Sequence, residues 1–270
     1  MTQTDLAAVP PAAVPQLRYR TLRTIVALIL REMTTSYGRS PGGYLWAVVQ
    51  PVGMIVMLSV AFSLLLRSPS LGTSFILFYS TGILPLRVYQ DVAASVSNAM
   101  TYNKALLGYP RVTYVDTMLA RALLSLLTQV MVIGVVLPAI FYFENVREIV
   151  DFGPILAGFG LFALLGFGVG AFNCFMFLMF PLWKTIWSIL TRPLMLFSAV
   201  LYVYEDLPRV AREYLWYNPL VHIMGMVRSG FYSAYHPHYI SLPYVFVWIA
   251  VPMFLGMLLL RRHNQDLLFR

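Results

Sequence analysis

The stretch 31-REMTTSYGRSPGGYLWAVVQP-51 decides how this chain meets its surroundings. It begins as the end of a basic helix, breaks in the Gly- and Pro-rich run 38–43, and continues as an apolar run led by Tyr44 and Trp46. Basic side chains stay among lipid headgroups, and Tyr and Trp rings prefer the membrane–water boundary. The order of these parts predicts a helix lying along a membrane surface, then a turn, then a first crossing.

The composition predicts a lipid environment for the rest of the chain. Of the 270 residues, 59% are hydrophobic and 11% are charged, whereas soluble domains carry about 25% charged residues. A soluble protein this apolar could not cover its surface with polar groups. We therefore predict an all-α membrane protein with one membrane domain over 39–270. The formal net charge of +8 is interpreted as a topology signal, and no nucleic-acid partner is expected.

Two segments precede the membrane domain. Residues 1–16 are rich in proline and lack apolar periodicity, which predicts a disordered tail. In 17–38, apolar residues recur at helical spacing among basic ones, but the apolar part is too short to cross about 30 Å of hydrocarbon. We predict an amphipathic interface helix here. The alternative is a polar lead-in to the first span with no role of its own.

Six apolar segments predict six transmembrane helices. They lie at about 44–66, 71–103, 117–143, 153–180, 185–204 and 242–260. Gly166 and Gly170 are spaced for close helix packing. Lys and Arg concentrate in alternate connections and at both ends of the chain, so the positive-inside rule places both termini in the cytoplasm.

Two ionisable residues lie inside the second predicted span. Arg87 and Asp91 are four residues apart, so they share a helix face and can pair within the membrane. Ionisable groups at this depth are costly and face protein or water. The sequence leaves two readings open, namely a structural ion pair and a pair that lines a substrate path.

The connection Lys104–Asp116 is short and basic, yet it contains Leu106, Leu107 and Tyr109. Gly108 and Pro110 interrupt helical structure there. An apolar tip on a cytoplasmic loop predicts a docking site for another protein.

A short helix is predicted before the last span. Asn218 is a good N-cap, Pro219 suits the first helical position, and the helix to Phe231 is too short to cross. We predict a re-entrant or interfacial helix that acts as a gate on the outer side, where Gly225 and Gly230 allow close approach to a symmetry mate. The alternative is a surface helix that anchors the loop. The predicted gate residues are Asn218, Pro219, His222, Gly225 and Arg228.

Motifs for catalysis and nucleotide binding are missing from the sequence. It contains no G-x-x-x-x-G-K-[ST], H-E-x-x-H or G-x-S-x-G stretch. We therefore expect no catalytic residues, no metal site and no cofactor held by this chain.

Three stretches resemble one family. They are ALILREMTTSYGRSPGGYLWAVVQP at 27–51, GYPRVTYVDTMLARALL at 108–124 and WYNPLVHIMGMVRSGFYSAY at 216–235. Their order and spacing resemble the membrane permease of ATP-binding-cassette exporters for cell-surface polysaccharides, in particular the capsule exporters of Gram-negative bacteria. The resemblance covers nearly the whole chain.

The resemblance implies a homodimeric permease in the inner membrane, bound to two copies of a separate P-loop ATPase that holds ATP and Mg. Periplasmic and outer-membrane export proteins would be further partners, and the substrate would be a lipid-linked polysaccharide. The implied ATPase-coupling residues are Arg31, Glu32, Leu106, Leu107, Tyr109, Pro110 and Arg111.

Aromatic rings can stack on sugars without fixing one register, which suits a sliding polymer. The predicted substrate path comprises Tyr44, Trp46, Arg87, Asp91, Tyr202 and Tyr204, although the aromatic residues also suit an interfacial belt. Two alternative functions remain. One is a permease of the same fold for O-antigen, a drug or a small lipid, and the other is a membrane enzyme or scaffold that needs no ATPase.

Overall fold

A computed structural model of the protein describes residues 20–36, 42–107, 112–144 and 150–263. Within these ranges the chain is helical and contains no strand, so the predicted all-α class is confirmed for the described part. The helices are α1 Arg20–Ser36, α2 Gly43–Leu65, α3 Phe75–Ser97, α4 Ala99–Tyr102, α5 Lys104–Leu107, α6 Tyr114–Phe143, α7 Phe152–Met179, α8 Pro181–Thr191, α9 Leu194–Phe197, α10 Arg209–Leu215, α11 Pro219–Phe231 and α12 Leu242–Arg262. The predicted tail 1–16 lies outside the described residues.

Helix α3 lies at the centre of the bundle. It packs against α7, α6, α2 and α11, and most of its residues are buried. Helix α7 also packs against α12 and α11. The hydroxyl groups of Ser80 and Thr81 donate to backbone carbonyls one turn earlier, at Leu77 and Phe78. The central helix can therefore carry polar residues, because its neighbours and its own backbone satisfy them.

Four helices are long and apolar enough to cross a membrane. They are α2 from Leu45 onwards, α6, α7 and α12, and they match the first, third, fourth and sixth predicted spans. Helix α3 matches the second predicted span, and its 23 residues give a length of about 34 Å at ~1.5 Å per residue. Its charged and polar residues make it less apolar than the other four.

The predicted span over 185–204 is not a single helix in the structure. Helix α8 ends at Thr191, α9 covers only Leu194–Phe197, and a 3-10 turn follows at Tyr204–Asp206. Pro193 separates the two helices because proline has no backbone N–H to donate to the preceding turn. Ala199 adopts a left-handed conformation with φ 54° and so prevents α9 from continuing.

Glycines set the distances between the packed helices. A Cβ added at Gly166 would lie 2.7 Å from the Tyr89 carbonyl oxygen, and one at Gly170 would lie 2.8 Å from Cβ of Val96. The predicted close packing at these two glycines is confirmed, and the helix that they approach is α3. Gly256 plays the same part between α12 and α7, where an added Cβ would lie 2.5 Å from the Ala171 carbonyl carbon.

This packing generates a stability prediction for Gly256→Ala. Alanine favours an isolated helix over glycine by about 0.5–1 kcal/mol, but the clash with the α7 backbone reverses the sign. We expect a net loss of about 1–3 kcal/mol from overpacking, measured as a lower thermal midpoint of the purified protein in detergent. The control is Gly134→Ala in α6, where an added Cβ has no atom within 4 Å. A lower midpoint for the control, or none for Gly256→Ala, would contradict the analysis.

Candidate functional site

A cavity of about 540 Å³ lies between α3 and α8. We call it the α8-side cavity. Its charged lining residues are Arg87, Asp91, Lys184 and Arg192. Lys184 donates to the side-chain oxygen of Asn98 at 3.4 Å. In the described part of the chain, the three basic side chains form no ion pair. The lining therefore carries an excess of positive charge.

A second cavity, of about 370 Å³, lies among α2, α3, α6 and the end of α1. We call it the α6-side cavity. It shares Arg87, Asp91 and Ala94 with the α8-side cavity. These three residues are spaced at i, i+4 and i+7 on α3, so one face of the central helix lies between the two cavities. Trp46 lines the α6-side cavity and is 63% exposed.

Arg87 and Asp91 do not form the direct ion pair that their spacing predicts, although the two groups interact electrostatically. No salt bridge joins the two side chains in the described structure. The side-chain amide of Gln129 on α6 donates to a carboxylate oxygen of Asp91 instead. The spacing along α3 places Arg87 and Asp91 on one face, but Gln129 on the neighbouring helix α6 is the hydrogen-bond partner of Asp91. Both residues nevertheless line both cavities.

Helix α1 is fixed to α6 and to the α4–α5 segment. Ile25 and Leu28 pack with Ala120 in one buried cluster. The carboxylate of Glu32 accepts a contact of 3.0 Å from the Arg121 guanidinium, and these side chains are only 14% and 13% exposed. This guanidinium also lies 4.3 Å above the ring of Tyr102 in α4.

One hydrogen bond also connects α1 to the residue between α4 and α5. Arg31 donates to the side-chain oxygen of Asn103 at 3.3 Å, and Asn103 lies between α4 and α5. The structure therefore brings Arg31 and Glu32 together with the segment that the sequence predicts to contact an ATPase.

The structure places the two leucines of the predicted docking tip against other parts of this chain. Leu107 is 8% exposed and belongs to the main core, whereas Leu106 packs against the Ile25–Leu28 cluster. Leu107 is therefore covered by this chain, whereas Leu106 is half-buried. Tyr109, Pro110 and Arg111 lie outside the described residues.

Helix α11 begins as predicted. The Asn218 side chain accepts from the Leu220 N–H at 3.0 Å, and Pro219 is the first helical residue. Asn218 also donates to the Phe197 carbonyl at 2.7 Å, which ties the helix start to α9.

His222 is wholly buried in α11 and uses both ring nitrogens. Nδ1 accepts from the Ser241 N–H at 3.2 Å, so Nε2 carries the proton and donates to the Trp216 carbonyl at 2.7 Å. Burial lowers the pKa of His222, and the ring is therefore neutral at pH 7. Its role in the structure is to join three segments.

Arg228 is the largest fully buried side chain and holds the segment after α9. It donates to the carbonyls of Val200 at 2.8 Å and Tyr202 at 2.7 Å. Its guanidinium lies 4.4 Å above the ring of Phe78. Gly82 leaves the room for this approach, since an added Cβ would lie 3.3 Å from Nη2 of Arg228.

The predicted contact between α11 and a symmetry mate at Gly225 is wrong in this structure. A Cβ at Gly225 would collide with the hydroxyl of Tyr239 from the same chain, and one at Gly230 would meet Ile155 and the Asp151 backbone. The glycines face their own bundle because α11 fills its interior against α7, α3 and α12.

The aromatic residues of the predicted substrate path do not all line the two cavities. Tyr204 is buried and its hydroxyl donates to the Arg212 carbonyl at 2.9 Å, while the Tyr202 hydroxyl donates to the Leu196 carbonyl at 2.6 Å. Neither lines the two cavities, and the side chain of Tyr44 falls outside the described part. The sequence analysis did not identify Lys184, Arg192 and Gln129 as site residues. No local sequence pattern distinguishes a charged or amide side chain that lines a cavity from other polar residues near a span.

Comparison with known proteins shows the family of this chain. The model of the ABC-2 type transporter family matches residues 23–232. The chain belongs to the ABC-2 type transporter family. The polysialic acid transport protein KpsM of Escherichia coli is 28% identical over 245 residues, which cover 91% of this chain and 95% of that protein.

Two further relatives are capsule polysaccharide export inner-membrane proteins. CtrC of Neisseria meningitidis serogroup B is 26% identical over 212 residues, covering 78% of this chain and 80% of that protein. BexB of Haemophilus influenzae is 24% identical over 249 residues, covering 91% of this chain and 92% of that protein. The ABC-2 match includes α1, both cavities and α11.

In this ABC-2 family member, the Glu32–Arg121 pair is predicted to be strongly coupled. A double-mutant cycle with Glu32→Gln and Arg121→Gln should give a coupling free energy of about 1–3 kcal/mol, because each single change removes the ion pair between two largely buried side chains. The control cycle uses Arg209 and Glu213, which form a bridge at 3.0 Å with side chains 87% and 65% exposed. Solvent screening should reduce that coupling below about 0.5 kcal/mol. Equal coupling in the two cycles would contradict the assignment.

Arg228→Met is predicted to release the segment after α9. Methionine retains the apolar stem but removes both donors, so the two carbonyls lose charged hydrogen bonds worth about 1.5–3 kcal/mol each. We expect faster hydrogen exchange in 199–207 and a lower thermal midpoint, with Arg228→Lys between the variant and the wild type. Arg209→Met, on the exposed surface, is the matched control and should change neither. Unchanged exchange in Arg228→Met would contradict the role.

Proposed function

We propose that this chain is the membrane-spanning permease of an ABC exporter that moves a lipid-linked capsular polysaccharide across the bacterial inner membrane. The names of KpsM, CtrC and BexB support the substrate class and the membrane. The observation that carries the proposal is the α8-side cavity, where Arg87, Lys184 and Arg192 line a cleft beside a central helix.

The chemistry of this cavity suits an acidic, lipid-linked polymer. Guanidinium and ammonium groups that have no salt bridge and lie beside membrane helices are costly unless they meet water or anions. A carboxylate or phosphate on the substrate would supply that anion. The ring of Trp187 also lines the cavity and lies 6.3 Å from Trp183, so it offers a face on which a sugar can slide.

A second copy of the chain is part of the proposal. Helix α8 has no buried residue, and α2 exposes many large apolar side chains. These two helices flank the α8-side cavity, so a homodimer would cover them and close the path between two copies. Six crossings per subunit would then comprise the four apolar helices, α3, and the broken α8–α9 segment.

We assign the remaining partners to the two ends of the bundle. Two copies of a P-loop ATPase, which hold ATP and Mg, would bind the end formed by α1, α4 and α5, with both termini in the cytoplasm. The proposed coupling residues remain Arg31, Glu32, Leu106, Tyr109, Pro110 and Arg111, and we add the exposed Lys104 to them. Helix α11 remains the proposed outer closure, with periplasmic and outer-membrane export proteins beyond it. The chain itself is not an enzyme in this proposal and holds no cofactor.

The test removes the cavity charge. The double variant Lys184→Gln and Arg192→Gln should lower export of an acidic capsular polymer at least about tenfold, because the cavity loses two of its anion-binding groups. Surface and intracellular polymer are measured in cells that express the variant at wild-type levels. Arg67→Gln, an exposed charge outside the cavity, is the matched control. Full export of the polymer by the double variant would contradict the proposal. A double variant that exports the polymer normally but loses export of an unrelated drug or small lipid would also contradict it.

A further inference from the structure

We propose that the α6-side cavity is a second substrate subsite, which binds uncharged sugar units through their hydroxyl groups. The inference rests on the proposed export function but concerns a different cavity. It assigns neutral sugar rings to the α6 side of α3 and acidic groups to the α8 side.

The first support is that the cavity is polar although its walls belong to membrane helices. Helices α2 and α6 are among the four that are apolar enough to cross. Yet the uncharged polar residues that line the cavity between them are Gln50, Ser95, Ser125, Thr128 and Gln129. Polar groups in such a place are costly unless water or a polar ligand meets them.

The second support is that several of these groups have spare hydrogen-bonding capacity. Thr128 donates to the Leu124 carbonyl and Gln129 donates to Asp91. Within the described part of the chain, the side chains of Gln50, Ser95 and Ser125 make no such bond. A side-chain amide and two hydroxyls each donate and accept, which is the chemistry that pairs with sugar hydroxyls.

The third support is that the charges of this cavity are balanced within it. Glu32 is paired with Arg121, and Arg87 and Asp91 contribute opposite charges to the lining. The α8-side cavity instead has three basic residues against one acid. A ligand without net charge therefore fits the α6 side better than an anion does.

The shape completes the argument for a sugar. Trp46 presents a largely exposed ring at this cavity, and such a ring stacks on the apolar face of a pyranose. The volume of about 370 Å³ is in the range of small-ligand pockets, about 300–1,000 Å³. Because Arg87, Asp91 and Ala94 border both cavities, neighbouring units of one polymer can occupy the two sides of α3.

Site-specific photocrosslinking tests the subsite in the assembled transporter. Ser125 is replaced by p-benzoylphenylalanine in cells whose capsular polymer is labelled with a tritiated sugar, and ATP hydrolysis is arrested with vanadate. The matched control is Leu127, two residues away on α6 and 59% exposed. Ser188, in the α8-side cavity, is the positive control for the proposed path.

We expect labelled adducts at 125 and 188, with at least about tenfold less at 127. An adduct at 188 without one at 125 would overturn the subsite and leave the export function standing. Equal labelling at 125 and 127 would overturn the subsite as well. No adduct at either cavity position would overturn the export path along with it.

A substitution series separates binding from folding. Ser125→Leu fills the cavity and should lower export of neutral and acidic polymers alike by at least about tenfold, whereas Ser125→Ala should lower it about threefold. Both variants should keep the wild-type thermal midpoint. Wild-type export by a stably folded Ser125→Leu variant would overturn the proposal. If Ser125→Leu fails to fold, Ser95→Ala with Gln50→Ala removes two other hydrogen-bonding side chains of the cavity without added volume, and full export by that variant overturns the proposal.

Discussion

Shielding of the central helix α3 from lipid is the constraint on which the rest of the structure depends. Its face with Arg87 and Asp91 cannot meet hydrocarbon without a large desolvation cost. The apolar helices α6 and α7 and part of α2 pack around it, and two cavities border its charged face. Glycines of α7 let backbone approach backbone, so the enclosure is tight where α3 is apolar and open where it is charged.

The same constraint explains the segment between α8 and α11. A chain that breaks at Pro193 and turns at Ala199 exposes carbonyls that no helix satisfies. Arg228 provides donors to two of them from within the bundle. Its guanidinium is buried with backbone carbonyls and an aromatic ring as neighbours. The short helix α11 is therefore an internal strut that holds irregular backbone in place.

The two cavities relate the fold to transport. Their common border on α3 places positive charge on one side and neutral polar groups on the other. Glu32 and Arg121 line the α6-side cavity and also hold α1 against α6, next to α4. A displacement of α1 or α4 would therefore move residues that line the cavity, because Glu32 and Arg121 belong both to this contact and to the cavity wall.

Local properties of the sequence determined the helical class, four apolar crossings, the cap at Asn218 and the close packing at Gly166. Hydropathy, periodicity and capping are read within a few residues, and folding does not alter them. Only the tertiary structure decided which partners the polar groups take. Asp91 bonds to Gln129 and Arg228 to the Val200 carbonyl, because those partners are brought close by packing across tens of residues. The same packing buried Leu107, which local pattern alone had assigned to an exposed docking tip.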